Sequence, residues 1–175
     1  MKSNKRIIRV VDYDSRWPDL FQMESKAISD ALGDLIVRIH HIGGTAVPGL
    51  AAKPTIDILL EVEDVNQLDR YNAQMEKLGY TPEGEYGIPG RRYFHKGNPD
   101  RTYHVHAFNA GSDGALRHIA FRDYLIAHPQ IAREYGDLKR RCARDCDNDI
   151  DKYGDLKNDF IKTHEKRAMQ WMRGR

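Results

Sequence analysis

Two short segments of the sequence carry residues suited to phosphate chemistry. The first, His41-Ile42-Gly43-Gly44-Thr45, places two glycines and a threonine after a run rich in β-branched residues, and the second is Lys53-Pro54-Thr55-Ile56-Asp57. Glycines at a strand end expose backbone N–H groups, and Thr45 could cap a short helical turn, an arrangement that holds a phosphate. The sequence therefore predicts a phosphate-binding turn at Gly43, Gly44 and Thr45, although two glycines are also typical of an ordinary tight turn.

Asp57 is the acidic residue at the start of a largely apolar run that ends at Leu60. An ionised carboxylate is costly to bury without a partner, so Asp57 should lie at a sheet end, in a salt bridge or at a metal ion. In the strand that follows the glycine turn, it could hold the cation that a bound phosphate needs. We predict Asp57 to be a metal ligand and the catalytic residue of any reaction here.

His104 and His106 are separated by one residue in a run that is predicted to be a strand. Both imidazoles should then point to the same face of the sheet, because side chains alternate along a strand. Such a pair could bind a metal ion, or it could form hydrogen bonds only, to a phosphate or to the backbone. The spacing leaves both interpretations open.

Lys53 and Arg92 are the basic residues placed best for contact with a phosphate. Lys53 follows the glycine turn, and Arg92 belongs to a basic group around a predicted hairpin, with Arg91, Lys96 and Arg101. Guanidinium groups bind phosphate oxygens in pairs, whereas most charges on an exposed hairpin are simply solvated. Three other basic residues could reach a substrate or pair with neighbouring acids: Arg122, Lys139 and Lys157.

The apolar periodicity predicts the elements that must position these groups. We expect helices over 17–32 and 64–78, strands over 35–42 and 55–62, and a hairpin of strands over 91–96 and 102–108. From Ala115 onward the pattern is helical throughout. This order predicts an α+β fold, in which a small mixed sheet, capped mainly on one side, carries packed helices and a C-terminal helical region.

The chain of 175 residues is expected to form a single domain over 1–175, with the sheet core at about 35–110 and the helical part at about 114–173. Two apolar stripes at helical spacing support the helical part. They consist of Ile131, Tyr135, Leu138, Cys142 and Cys146, and of Tyr153, Leu156, Phe160, His164, Ala168 and Trp171. The two cysteines continue a stripe, so buried free thiols are expected.

The charge balance excludes some classes of partner. With 28 Lys+Arg and 26 Asp+Glu the net charge is +2, which disfavours a broad nucleic-acid surface and suits a nucleotide or a small phosphorylated metabolite. No run approaches the roughly 20 apolar residues of a membrane span. The basic N-terminus leads into an apolar run too short for a signal peptide. A cytoplasmic protein that does not enter a membrane is therefore expected, and its oligomeric state is left open.

The segment 41–60 resembles the GrpB family, a group with a nucleotidyltransferase-like fold. Further matching motifs occur in the same order along about 10–168 of the chain. They are Tyr13-Asp14-x-x-Trp17-x-x-x-Phe21, Tyr103-His104-Val105-His106, Phe121-Arg122-Asp123-Tyr124-Leu125, His128-Pro129, Tyr135-x-x-Leu138-Lys139 and Tyr153-x-x-x-Lys157.

The resemblance implies a sheet in which the Gly43-Gly44 turn grips a nucleotide phosphate and acids of the next strand bind Mg²⁺. It also places the strand of His104 and His106 near Asp57, so these three residues could hold one divalent ion (Mg, Mn or Zn). Imidazole favours Zn²⁺, Mn²⁺ or Fe²⁺ over Mg²⁺. The superfamily pattern has a second acid two residues after the first, but this chain has Leu59 there. Two-metal catalysis would lack a ligand.

Two hypotheses follow for function. In the first, the protein transfers a nucleotidyl group with the help of a divalent ion, and Lys53 and Arg92 stabilise the charge that develops. In the second, it is a catalytically lapsed module that binds a nucleotide or phosphorylated metabolite and acts with a partner protein. Leu59 favours the second hypothesis, and the combination of Asp57 with two histidines favours the first.

Overall fold

A computed structural model describes residues 6–175, and the basic segment 1–5 lies outside the described residues. The helices are α1 Trp17–Leu32, α2 Val65–Leu68, α3 Asn72–Lys77, α4 Asp113–Ala127, α5 Pro129–Asp145 and α6 Ile150–Arg173. The strands are β1 Ile36–Ile42, β2 Ile56–Val62, β3 Tyr80–Pro82, β4 Arg92–Lys96 and β5 Tyr103–Asn109. The α+β class, the hairpin and the C-terminal helical region predicted from the sequence are confirmed.

The five strands form one mixed sheet in the order β1-β2-β5-β4-β3. Strands β2 and β5 are parallel neighbours at its centre, and the other pairs are antiparallel. In this register Asp57 lies beside His104, and Leu59 lies beside His106. Residues paired across a sheet point to the same face, so the sheet brings together the acid and the two histidines from distant parts of the chain.

Helices cover both faces of the sheet, which differs from the expected cover mainly on one side. The main core lies between α1, α2, α3 and the face that includes Ile58, Leu60 and Val105. On the opposite face, Leu59 packs with Ile42, Phe108 and Ala115 of α4. Helices α5 and α6 pack chiefly against each other and against α4. The face of Asp57 is therefore covered by α4 over only part of its area.

Three local predictions need correction. The helix expected over 64–78 is divided by a 3₁₀ turn into α2 and α3, and the short edge strand β3 was not predicted. Leu156 is 45% exposed although it was assigned to an apolar stripe. At 3.6 residues per turn, Leu156 lies roughly 60° around α6 from buried Tyr153. Cys142 and Cys146 are buried free thiols, as predicted.

Among residues 6–175, the helices are either too short or too polar to span a bilayer.

Leu59→Ala should lower the free energy of unfolding by about 2–5 kcal/mol, because it empties a fully buried site between β2 and α4. Urea unfolding followed by circular dichroism measures this change. Leu156→Ala is the control, and it should shift stability by no more than about 0.5 kcal/mol. Equal midpoints for Leu59→Ala and the unmodified protein would show that Leu59 is not a core residue.

Candidate functional site

Asp57, His104 and His106 converge on one point of the sheet. Asp57 Oδ1 lies 3.3 Å from His104 Nδ1 and 3.3 Å from His106 Nε2, and one ligand atom from each residue lies within 4.8 Å of the others. These separations are long for hydrogen bonds, which usually span 2.7–3.2 Å for N–H···O. They match the edge of about 3.3 Å between ligands held 2.0–2.1 Å from a tetrahedral zinc ion. The three side chains therefore fit a divalent metal ion.

The protonation states also suit a metal ligand set. Burial acts to raise the pKa of the Asp57 carboxyl group, but hydrogen bonds and charge attraction from His104 and His106 outweigh it and hold that pKa far below its ordinary value. Burial lowers the pKa of His104, with partial opposition from Asp57. Asp57 is thus an anion and His104 is neutral near pH 7, the forms in which both bind metals.

No second set of metal ligands accompanies this one among residues 6–175. Leu59 occupies the position of the second acid and is fully buried. Glu61, on the same sheet face, lies 2.7 Å from Arg38 Nε and 2.7 Å from His40 Nε2, and it accepts the N–H of Gly111 at 3.0 Å. Glu61 is therefore engaged in a separate buried network, and the described residues offer candidate ligands for one metal ion.

The glycine turn is shaped by its neighbours. Gly43 has φ +74°, and a Cβ atom there would lie 2.6 Å from Asp57 Oδ2. A Cβ atom on Gly44 would lie 2.6 Å from Lys139 Nζ. The two glycines thus leave room for a carboxylate and for an ammonium group. An ordinary tight turn needs glycine for its backbone angles only and not to make room for such groups.

Thr45 is buried inside the 3₁₀ turn Gly44–Ala46 and does not cap it. Its hydroxyl group lies 2.8 Å from His41 Nε2 instead, and the His41 ring stacks on Phe21 at 4.8 Å. Burial lowers the pKa of His41 to about 4, so this imidazole is neutral near pH 7. The expected cap is therefore wrong, because His41 bonds the hydroxyl that would have formed it.

Three lysines face the glycine turn across a cavity of about 140 Å³. Lys53, Lys139 and Lys157 line it together with Gly43, Gly44, Thr45, Asp57, His104 and two tyrosines. Lys139 Nζ lies 4.6 Å from the centre of the Tyr135 ring, and Lys157 Nζ lies 4.6 Å from that of Tyr153. In the described part of the chain, no carboxylate forms a salt bridge with these lysines.

The lysine ammonium groups lose part of their contact with water, and attraction from Asp57 compensates for this loss only in part. Burial, followed by repulsion from Lys157, lowers the pKa of Lys139 to about 7 and that of Lys53 to about 8. Burial also lowers the pKa of Lys157. A bound anion would favour the charged forms and raise these pKa values.

The structure brings together every predicted site residue except Arg92. In β4, Arg92 pairs with Ala107, whose side chain lies on the sheet face opposite His104 and His106. Its guanidinium group binds Asp69 at 2.7 Å and Asn66 at 3.1 Å. Ala107 is one residue from His106, and side chains alternate along a strand. The Arg92 side chain therefore points away from the Gly43-Gly44 turn.

Arg122, Lys139 and Lys157 are the residues whose role the sequence left undecided. Arg122 pairs with Asp123 at 2.9 Å and donates to the His41 carbonyl at 3.1 Å, whereas the two lysines reach the cavity. The signal was present, because each lysine follows a tyrosine by four residues and so shares its helix face. In α5 and α6 those faces bury Tyr135 and Tyr153. Neither lysine has an acid three or four residues away on its own helix. Such a lysine on a buried helix face indicates that the group that stabilises its charge lies elsewhere.

His118 of α4 completes the surroundings of the metal ligands. Its ring centre lies 5.4 Å from that of His106 and 5.7 Å from that of Phe108. Its Nε2 atom is buried and has no hydrogen-bond partner among the described residues. Burial, with repulsion from His106 and Arg117, lowers the pKa of His118 to about 3.

Comparisons with known proteins establish the family. The model of the GrpB protein family matches residues 7–167, and the chain belongs to this family. The crystal structure of the conserved protein GrpB from Enterococcus faecalis is similar with a TM-score of 0.90 and 41% identity, over 94% of this chain and 99% of that one. The predicted family membership is confirmed.

Two relatives are longer than this chain. YqkA, a UPF0157 protein of Bacillus subtilis, is 44% identical over 171 residues, which cover 98% of this chain and 50% of YqkA. A dephospho-CoA kinase of Mycolicibacterium paratuberculosis is 28% identical over 191 residues, which cover 94% of this chain and 46% of the kinase. The chain thus spans about half the length of each of these relatives.

Gly43→Ala should destabilise the protein by more than the 1–3 kcal/mol that a strained backbone conformation costs, since its Cβ would also strike the Asp57 carboxylate. Gly49→Ala is the matched control, because Gly49 also has positive φ, at +81°, but its Cβ would meet open space. Thermal and urea unfolding of both variants measure the difference. If both variants lost the same stability, the Asp57 carboxylate would not restrict the size of the residue at position 43.

Stability should also fall as the pH drops below about 6.5 toward 3, because unfolded His118 takes up a proton that the folded protein excludes. His118→Phe keeps an aromatic ring beside Phe108 but cannot titrate, so its free energy of unfolding should fall less over this range. Urea unfolding at a series of pH values, with a chelator present, measures both curves. If the free energy of unfolding fell equally with pH for both proteins, His118 would not be a neutral, buried imidazole.

Proposed function

We propose that this protein binds a nucleotide or a small phosphorylated metabolite at the Gly43-Gly44 turn, together with one divalent metal ion held by Asp57, His104 and His106. One observation carries the proposal: the glycine turn, the three lysines and two of the candidate metal ligands, Asp57 and His104, line the same small cavity. The third candidate ligand, His106, lies 3.3 Å from Asp57. Glycine N–H groups and ammonium groups both bind phosphate oxygens.

The charges of the cavity support an anionic ligand. A buried ammonium group without a counter-ion is unfavourable, and Lys53, Lys139 and Lys157 meet around one space. A phosphate group would neutralise them, and Asp57, His104 and His106 would hold the metal ion beside it. The cavity, at about 140 Å³, is smaller than the 300–1,000 Å³ of pockets that enclose drug-sized ligands, so it suits the phosphate part of a ligand.

The ligand set indicates which metal would bind. One carboxylate and two imidazoles favour Zn²⁺ or Mn²⁺ over Mg²⁺, which prefers oxygen ligands. When bound, the ion would supply Lewis acidity toward a phosphate oxygen. Asp57 and the histidines would position it, and Lys53 and Lys139 would hold the phosphate and offset its negative charge.

The second candidate function is metal-dependent nucleotidyl transfer at the same site, with Asp57 as the catalytic residue. The contact of Asp57 with both histidines and the glycine turn favours it. Leu59 weighs against a two-metal reaction, because a leucine buried between the sheet and α4 supplies no ligand. We therefore favour binding of the phosphorylated ligand, by a module that acts with a partner protein. The dephospho-CoA kinase relative, twice as long as the shared region, is consistent with this arrangement.

A cytoplasmic location and a single domain over 1–175 form part of this proposal. Cys142 and Cys146 are both buried and free, which suits a reducing compartment.

Lys139→Met should weaken binding of the phosphorylated ligand about 10- to 100-fold, the effect of losing a charge-assisted hydrogen bond. Asp57→Asn should remove the enhancement of binding by the metal ion and leave the fold intact. Isothermal titration with AMP, ATP and inorganic phosphate, each with and without Zn²⁺, Mn²⁺ or Mg²⁺, measures both effects.

Two controls accompany this experiment. Lys162→Met removes an exposed lysine of α6 and should bind like the unmodified protein. Asp30→Asn removes an exposed acid that pairs with Lys26 and should keep the metal effect. The proposed function would be refuted if the protein bound none of the three ligands. It would also be refuted if Lys139→Met and the unmodified protein bound the phosphorylated ligand with equal affinity.

A further inference from the structure

A second basic cavity adjoins the lysine cavity. It has a volume of about 290 Å³, and its walls are the N-terminal segment, the residues before β2 and the β4–β5 turn, namely Arg6, Ile7, Arg9, Lys53, Pro54, Thr55, Asp100, Arg101 and Thr102. Lys53 and Thr55 line both cavities. The two spaces are therefore neighbours that share a wall at the start of β2, and we call the second one the arginine groove.

The arginine groove has a large excess of positive charge. Four basic side chains line it, Arg6, Arg9, Lys53 and Arg101, against the carboxylate of Asp100. Asp100 Oδ1 accepts the backbone N–H of Ile7 at 3.2 Å. Within residues 6–175, neither Arg6 nor Arg9 forms a salt bridge. Arg101 contacts His95 Nδ1, which is not an acid. The groove thus lacks the anions that would balance it.

The backbone holds the arginines in place. Asn148, in the turn between α5 and α6, accepts the N–H of Ile8 at 2.6 Å and donates to the Arg6 carbonyl at 2.7 Å. Val11 then forms a two-way backbone bridge with Ala52, at 2.9 and 3.0 Å. The segment that carries Arg6 and Arg9 is therefore tied to the protein on both sides of the groove.

Arg6 also links the groove to the metal ligands. Burial and repulsion from Arg101 lower the pKa of Arg6, whereas Tyr93, Asp100 and Asp57 oppose that fall. Arg6 therefore lies within electrostatic reach of both Arg101 and Asp57. A guanidinium group held near another one is unfavourable unless an anion lies between them.

We propose that the arginine groove is a second phosphate subsite, so that the ligand of this protein carries two separate phosphate groups. This inference rests on the proposed function, in which the first phosphate occupies the lysine cavity. The second phosphate would contact Arg9 and Arg101, and guanidinium groups suit such contacts because they can bind two phosphate oxygens at once. A nucleoside that is phosphorylated at both its 3′ and 5′ positions has this chemistry.

A small bisphosphorylated ligand fits better than a long nucleic acid. The basic residues converge on two adjoining cavities, and the net charge of the chain is only +2. Binding along a nucleic acid requires a basic surface that follows many phosphates, commonly with aromatic side chains for stacking. The groove therefore selects for two phosphates at close range.

Isothermal titration with AMP and with adenosine 3′,5′-bisphosphate, in the presence of Zn²⁺ or Mn²⁺, tests the inference. The bisphosphate should bind at least tenfold more tightly than AMP to the unmodified protein. The double variant Arg9→Gln/Arg101→Gln should lose this difference and keep its affinity for AMP. Lys139→Met should weaken both ligands. Arg70→Gln removes an exposed arginine away from the groove and should change neither affinity.

The outcomes separate the two proposals. If AMP binds and the bisphosphate binds no more tightly, the second subsite is refuted and the proposed function stands. If neither ligand binds with any metal ion, the proposed function fails and the subsite fails with it. If an oligonucleotide of four nucleotides binds far more tightly than the bisphosphate, the groove is part of a nucleic-acid binding surface and the small-ligand inference is wrong.

Discussion

The contact of the Asp57 carboxylate with His104 and His106 is the interaction on which the rest of the site depends. A carboxylate in the central strands of a sheet needs compensation, and this one receives it from two histidines at 3.3 Å. Its attraction also opposes the fall in pKa that burial imposes on Lys53, Lys139 and Lys157. The cations and the acid therefore stabilise one another, with space for an anion and a metal ion between them.

The sheet separates stability from chemistry by means of its two faces. The face that carries Ile58 and Leu60 is covered by α1, α2 and α3 and forms the main core. On the other face, α4 covers Leu59 but leaves Asp57 to line a cavity. Helices α5 and α6 pack against α4 and against each other. From there Lys139 and Lys157 reach the part of the sheet face near Asp57 that α4 leaves uncovered. One side of the sheet thus holds the fold together while the other remains free to bind.

The position of Leu59 determines which chemistry the site can support. At that place an acid would complete a second metal site, whereas leucine contributes to the packing of Ile42 and Phe108. Glu61 cannot take over, since Arg38 and His40 already bind it. Candidate ligands for one metal ion, beside three lysines, would suit the holding of phosphates better than an in-line displacement between two metals.

The sequence by itself determined most of the elements and their order, because apolar periodicity and turn residues act locally. It did not reveal the edge strand β3 or the break between α2 and α3. It also identified Asp57, His104 and His106, since polar side chains in buried strands require a partner. Tertiary structure alone decided that Lys139 and Lys157 reach the glycine turn, that Arg92 faces the other side of the sheet and that Arg6 and Arg9 border the site. Those outcomes depend on strand register and on how distant helices pack, which no short stretch of sequence encodes.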